Sequence, residues 1–259
     1  MSTHRRAELS RRAFLAAVPV AAVGACAAPA PAASPVTTTP VPEATTAAAA
    51  AAPTTTAPFT GIATEFVHAT SGRPEVALTF HGAGDLDLAT KVLTGFSDRG
   101  AAVTVLAIGT WLQQYPDAVK VVTDHGHELG NHTWSHPDLT TLSVSGVRAE
   151  IERCRDRLAA LTGSPGDFFR PSAAQHATKE VLELAGAAGY RHVLSYDVDS
   201  RDFTDPGAAA IRRNLRAAVA GDVVSMHLGH PGTLEALPGL LDDLAARGLK
   251  PVTAGRLFA

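Results

Sequence analysis

The sequence is short of cysteine, of net charge and of uninterrupted apolar length, and each shortage removes a class of protein. Only Cys26 and Cys154 occur in 259 residues. If the first is modified, as argued below, no intramolecular disulfide is expected even in an oxidising compartment. The formal charge is −3, and residues 1–25 hold four arginines and one glutamate, so the remainder carries −6. A general nucleic-acid binder needs a basic face to meet phosphates, and this balance argues against one. The apolar run "AFLAAVPVAAVGA" near the start is too short to span a bilayer as an ordinary helix. Hydrophobic residues are 46% and charged residues 18% of the chain, enough for one domain with a sizeable core once tails are set aside.

Residues 1–25 read as an export signal peptide, with Arg5, Arg6, Arg11 and Arg12 ahead of the apolar run. "SRRAFL", Ser10 to Leu15, resembles a bacterial twin-arginine signal. "VGAC", Val23 to Cys26, resembles the lipobox of bacterial lipoproteins, so Cys26 would become the lipidated first residue of the mature chain. A plain secretory cut near "APAPAAS" is the alternative, and both readings place the protein outside the cytoplasm. Residues 26–58 are then an anchor cysteine and a linker of Ala, Pro, Thr and Val in which Glu43 is the only charge. Such a stretch has nothing large to pack and is expected to stay extended or disordered, as a spacer. The folded domain is expected over residues 59–259.

Within that domain short apolar runs alternate with amphipathic segments. Strands are predicted at "EVALTF" (75–80), "AVTVLAI" (102–108), "HELGNH" (127–132), "DFFRPS" (167–172), "HVLSYDV" (192–198), "DVVSMHL" (222–228) and "KPVTAG" (250–255). The clearest helical patterns run over Ser143 to Leu161, Thr178 to Ala188, Gly207 to Ala220 and Thr233 to Arg247. Cys154 lies in the first of them and reads as a buried, inert residue. Repeated strand then helix implies a parallel sheet, and on pattern alone either a small (β/α) barrel or an open doubly wound sheet is possible.

The unusual polar residues fall just after the strands: His81 and Asp85, His132 and His136, Arg170, Asp199 and Asp202, His227 and His230. In both parallel architectures the carboxyl ends of the strands share one face, where sites are built, so these residues should converge. "NHTWSHPD" sets His132 and His136 four apart, close enough in a tight turn to share a metal such as zinc. Pro137 disfavours the helical region for His136, so a turn is expected there. A third ligand must come from another loop, and "HGAGD" offers Asp85 or His81, with Gly82 and Gly84 allowing a tight turn. Asp85 could equally cap the helix starting near Leu86. Arg170 could clamp a carboxylate or serve a structural ion pair. His227, ending an apolar run, could be a general acid if it faces the site.

From about Pro74 onward the chain resembles the polysaccharide deacetylases with a NodB homology domain, the carbohydrate esterases of family four. "TFHGAGD" stands where that family usually has TFDDG. "GHELGNHTWSHPDL" matches its histidine motif nearly letter for letter. "FRPSAAQ", "DVDSRDF" and "GDVVSMHLGH" resemble the arginine motif, the DxxDW segment and the final strand ending in histidine. The resemblance implies a distorted (β/α)7 barrel that removes acetyl groups from an envelope polysaccharide, possessing a divalent metal, zinc by preference. It assigns His132 and His136 to the metal, His227 to protonation of the leaving group, Arg170 to orienting the base, and Asp199 with Asp202 to supporting them. The first motif departs from the pattern. His81 occupies the position of the base and Gly82 that of a metal-binding aspartate; the preferred assignment makes Asp85 the third ligand and His81 the base, and the reverse is the alternative. A domain that binds sugar or metal without hydrolysis is the competing class, because fold resemblance does not decide activity.

Overall fold

The computed structural model describes Phe59 and residues 61–259; the expected signal peptide, Cys26 and the linker lie outside the described residues. In chain order the regular elements are β1 (Thr64–Phe66), β2 (Glu75–Gly82), α1 (Leu86–Asp98), β3 (Thr104–Ala107), α2 (Gly109–Gln114), α3 (Ala118–Thr123), β4 (Glu128–Asn131) and α4 (Val144–Thr162). They continue with β5 (Phe168–Phe169), α5 (Lys179–Ala187), β6 (His192–Leu194), β7 (Val198–Asp199), α6 (Ala208–Asn214), β8 (Val223–His227), α7 (Pro231–Ala246), β9 (Lys250–Val252) and α8 (Ala254–Leu257).

The strands form one sheet in the order β1-β6-β5-β4-β3-β2-β8-β7, with β9 joined to the amino-terminal half of β2. Every strand pair in it is parallel. The sheet curls into a half-barrel wrapped by helices, which is the distorted (β/α)7 architecture expected.

Alternation along the strands separates two apolar layers. Val76, Leu78 and Phe80 of β2 and Val224 and Met226 of β8 pack outward with Val92, Leu93 and Phe96 of α1 and Leu237, Leu240 and Leu244 of α7. The intervening residues face inward, where Ala77, Leu106, Phe168, Leu194 and Val223 meet Ala254 and Leu257 of α8. Continuing up that inner face, β2 presents Thr79 and then His81, in register with Ser225 and His227 of β8. Towards the carboxyl ends of the strands the interior thus gives way to a cluster of polar side chains.

Three expectations needed adjustment, one of them the strand expected over 250–255, which ends at Val252 where Thr253 caps α8. The segment 192–198 is two short strands, because Ser195 N–H turns to Phe66 O of β1 while Asp197 N–H reaches Val223 O beside β8. The helix expected over 207–220 ends at Asn214 and tightens into a 3-10 turn over Leu215–Ala217. Cys154 is buried, its thiol donates to Ala107 O, and burial pushes its pKa up to about 12, so it stays unreactive.

Candidate active site

The β2–β8 register sets His81 beside His227 at the carboxyl edge, with ring centroids 4.4 Å apart. β4 ends at Asn131, and His132 N–H donates to Ala107 O at the end of β3, which brings its ring to 4.1 Å from that of His81. The segment from His132 to His136 is a turn, as Pro137 requires, with Thr133 at φ 66° and His136 at φ 59°. Both are left-handed conformations that non-glycine residues seldom adopt, so the surrounding packing must impose them. Asn131 Oδ1 accepts from Thr133 N–H, and Gly109 and Thr110 donate to the carbonyls of Thr133 and Trp134. The Trp134 ring lies so close to Gly109 that a Cβ there would come within 2.3 Å of it. The Arg153 guanidinium lies over the same ring, 4.2 Å from its centroid.

This turn returns His136 to 4.7 Å from His132 and 6.2 Å from His81. One ring nitrogen of each of the three histidines lies within 4.8 Å of the others. His132 Nδ1–H donates to Arg170 O at 3.0 Å, which fixes the tautomer and leaves Nε2 as a lone pair. That Nε2 and both nitrogens of His81 are buried with no hydrogen-bond partner among the described residues. Burial drives His81 well below its ordinary range, helped by the charges of His132 and Arg170; His132 is lowered likewise by burial and by His136. Partial burial also lowers His136, which stands at the rim. Neutral imidazoles with orphaned, converging nitrogens are the donor set that suits zinc or a similar divalent transition metal.

His227 is held by Asp202. The carboxylate accepts from His227 Nδ1 at 2.7 Å, from His227 N–H at 2.9 Å and from Thr233 Oγ1 at 2.7 Å. Asp202 is completely buried; burial alone would raise its pKa, but the bonds and charge of His227, with Thr233, outweigh that and lower it. With Nδ1 engaged, Nε2 is the nitrogen of His227 free to serve the cleft. That cleft, of about 370 Å³, is lined by His81, His136, His227 and Asp199, together with Gln175, Tyr196 and Phe203.

Two expectations do not hold in the geometry. Asp85 does not join the histidines: it is exposed, its Oδ1 accepts from Leu88 N–H at 2.9 Å as the cap of α1, and it lines a neighbouring cavity. The reason lies in Gly84, at φ 92°, which packs so tightly on Gly229 that a Cβ would approach Gly229 Cα to 2.4 Å. This contact carries the chain past the cleft before Asp85 is reached, and His81 is the residue of the first motif that converges with His132 and His136. Arg170, read as a candidate clamp for a carboxylate, contacts none among the described residues. It is fully buried below the cleft, with Nε on Leu194 O at 2.7 Å, Nη2 on Thr79 Oγ1 at 2.8 Å and Nη1 unpartnered. Burial brings its pKa down to about 9. Of the three acidic residues in "DVDSRDF", Asp202 supports His227, Asp199 faces the cleft and Asp197 accepts from His68. His230 sits beside them, bonded through Nδ1 to Asp205 at 2.9 Å. Sequence reasoning missed Thr233, Tyr196 and Phe203; the phenylalanine stands at the aromatic position of the DxxDW segment, which was the available signal.

A curled parallel α/β sheet with a buried histidine cluster and a His–Asp pair at its carboxyl edge defines a small class of proteins, and comparison with known sequences agrees with it. Residues 68–193 match the family model described as polysaccharide deacetylase. A peptidoglycan-N-acetylglucosamine deacetylase of Bacillus cereus is 31% identical over 188 residues, covering 71% of this chain and 87% of that protein. The crystal structure of a peptidoglycan N-acetylglucosamine deacetylase superposes with a TM-score of 0.69 at 27% identity, over 75% of this chain and 92% of that one. A carbohydrate esterase family four pseudoenzyme from Bacillus anthracis shares the fold, with a TM-score of 0.70 at 22% identity over 75% and 68% of the two chains. The chain belongs to the polysaccharide deacetylase family.

Proposed function

We propose that this protein is a metal-dependent hydrolase that removes the acetyl group from N-acetylated amino sugars of a cell-envelope polysaccharide, with peptidoglycan as the substrate. The observation that carries the reading is the convergence of His81, His132 and His136 within 4.8 Å beside the His227–Asp202 pair. The names of the relatives, deacetylases of peptidoglycan and chitin, support the substrate class. Export by the amino-terminal signal and a lipid anchor at Cys26 would place the enzyme against the cell wall, and both belong to the proposal.

In this reading His81, His132 and His136 hold the metal, and His81 takes the place of the carboxylate that the first motif lacks. When bound, a divalent metal polarises the acetyl carbonyl and lowers the pKa of water. The protein's own part is orientation and proton transfer. His132 is kept in the ligating tautomer by Arg170 O. His227, with Nδ1 bound to Asp202, presents Nε2 to the departing amide nitrogen as the general acid. Tyr196 and Phe203 wall the cleft with aromatic surface, on which a pyranose ring can lie.

The test begins with zinc titrated calorimetrically into the metal-stripped full chain, followed by acetate release from N-acetylglucosamine oligomers and from peptidoglycan. One-to-one binding with metal-dependent acetate release is expected. Zinc binding without release from either substrate would replace the hydrolase with a binding lipoprotein, and no zinc binding would remove the histidine site.

A further inference from the structure

Hydrolysis of an amide needs a group that accepts a proton from the attacking water as well as one that supplies a proton to nitrogen. His227 serves the second need, and His81, with both nitrogens buried in the histidine cluster, is taken up by the metal set. We propose, building on the hydrolase reading above, that Asp199 is the general base of this site.

The assignment follows from where each carboxylate of the carboxyl-edge loops is engaged. Asp85 caps α1 and opens on the neighbouring cavity. Asp138 caps the turn at Leu139–Thr141, and Glu150 accepts from Ser135. Asp202 holds His227, Asp205 holds His230, and Asp197, in the loop before β7, is engaged by His68. Asp199 remains, and it lines the same cleft as His81, His136 and His227. It ends β7 opposite Ser225 of β8, two residues before His227, so acid and base approach the cleft from adjacent strands. Its Oδ1 accepts from Arg201 N–H at 2.8 Å, while no protein donor reaches Oδ2 among the described residues. Arg201 sits at φ 55°, and this left-handed turn brings its N–H back onto the carboxylate and steadies it.

The step balances. Asp199 Oδ2 takes one proton from water as the water oxygen bonds to the acetyl carbonyl carbon. Protonated His227 then gives its Nε2 proton to the amide nitrogen as the C–N bond breaks. Acetic acid and the free amine leave, and the proton on Asp199 returns through solvent to His227, restoring both groups without any redox partner.

The test uses the full chain loaded with zinc and N-acetylglucosamine oligomers. Asp199→Asn should bind zinc within a few-fold of wild type by calorimetry and lose roughly 100- to 10,000-fold in kcat. Asp199→Ala should recover part of that rate when formate is supplied as a diffusible carboxylate, and Asp85→Ala should keep a near wild-type rate. The proposal is overturned if Asp199→Asn turns over normally, if its zinc binding is lost along with its rate, or if formate rescues Asp85→Ala instead. A wild-type chain that binds zinc but releases no acetate would overturn the hydrolase reading itself, and this proposal with it.

Discussion

Acid should destabilise the metal-free protein through the two histidines whose rings are most deeply enclosed. Burial holds His81 and His132 well below 6.5 in the fold. As the pH falls below about 6.5 the unfolded chain binds protons on both rings and the folded chain does not. Their neutral forms therefore cost the fold nothing above pH 6.5, and stability is lost progressively as the pH drops from there towards the depressed folded values. Each ring contributes about 1.4 kcal/mol per pH unit in that window. Between pH 7.5 and 5.5 the pair should remove on the order of 3 kcal/mol, and with a urea slope on the order of 2 kcal/mol per molar the midpoint moves by roughly 1 to 2 M. Urea unfolding of the full chain in the presence of a chelator measures this. His127, His136 and His192 are also lowered by burial and add to the slope, so the diagnostic quantity is the difference between wild type and His81→Asn. That variant should lose about half of the pair's share, on the order of 1 kcal/mol less destabilisation over the same interval. Identical pH dependence in the two proteins would mean that His81 titrates in the fold as it does in water, and would refute the account of its neutral state.

Asp202→Asn should lower kcat by about 100- to 10,000-fold, because an amide facing Nδ1 no longer fixes the tautomer of His227, while zinc binding stays intact; steady-state kinetics with calorimetry checks both halves. His132→Ala should abolish zinc binding and acetate release together, since it removes a nitrogen that Arg170 O has oriented; retained zinc affinity would take His132 out of the donor set. Asp85→Ala should cost about 1 kcal/mol of stability through loss of the α1 cap and leave zinc affinity unchanged. A large loss of affinity in that variant would restore Asp85 as a ligand.

The strands around the site were legible because both of their faces are buried, so they read as continuous apolar runs bounded by turn residues. "EVALTF" and "DVVSMHL" read as strands, and the structure uses alternate residues of β2 and β8 for the outer layer and the interior. The convergence of His81, His132, His136 and His227 followed from topology alone: parallel strands joined by helices put all their carboxyl ends on one face. What the sequence left open was the direction of side chains on loops. Whether His81 or Asp85 would meet the other histidines depended on Gly84 packing against Gly229, a contact between segments far apart in the chain. Local rules gave Asp85 two equally good uses, and only the long-range contact chose the helix cap.

Arg170 shows the same division. Its motif singled the arginine out, yet its burial and its partners, Leu194 O and Thr79 Oγ1, come from β6 and β2, which only the curled sheet brings together. The sequence by itself determined the elements, their parallel order and the edge on which polar residues gather, because hydrophobic period and turn chemistry act over a few residues. The tertiary structure decided which nitrogens are orphaned, which carboxylate supports His227 and which faces the cleft, because those depend on burial and register between strands that are distant in sequence.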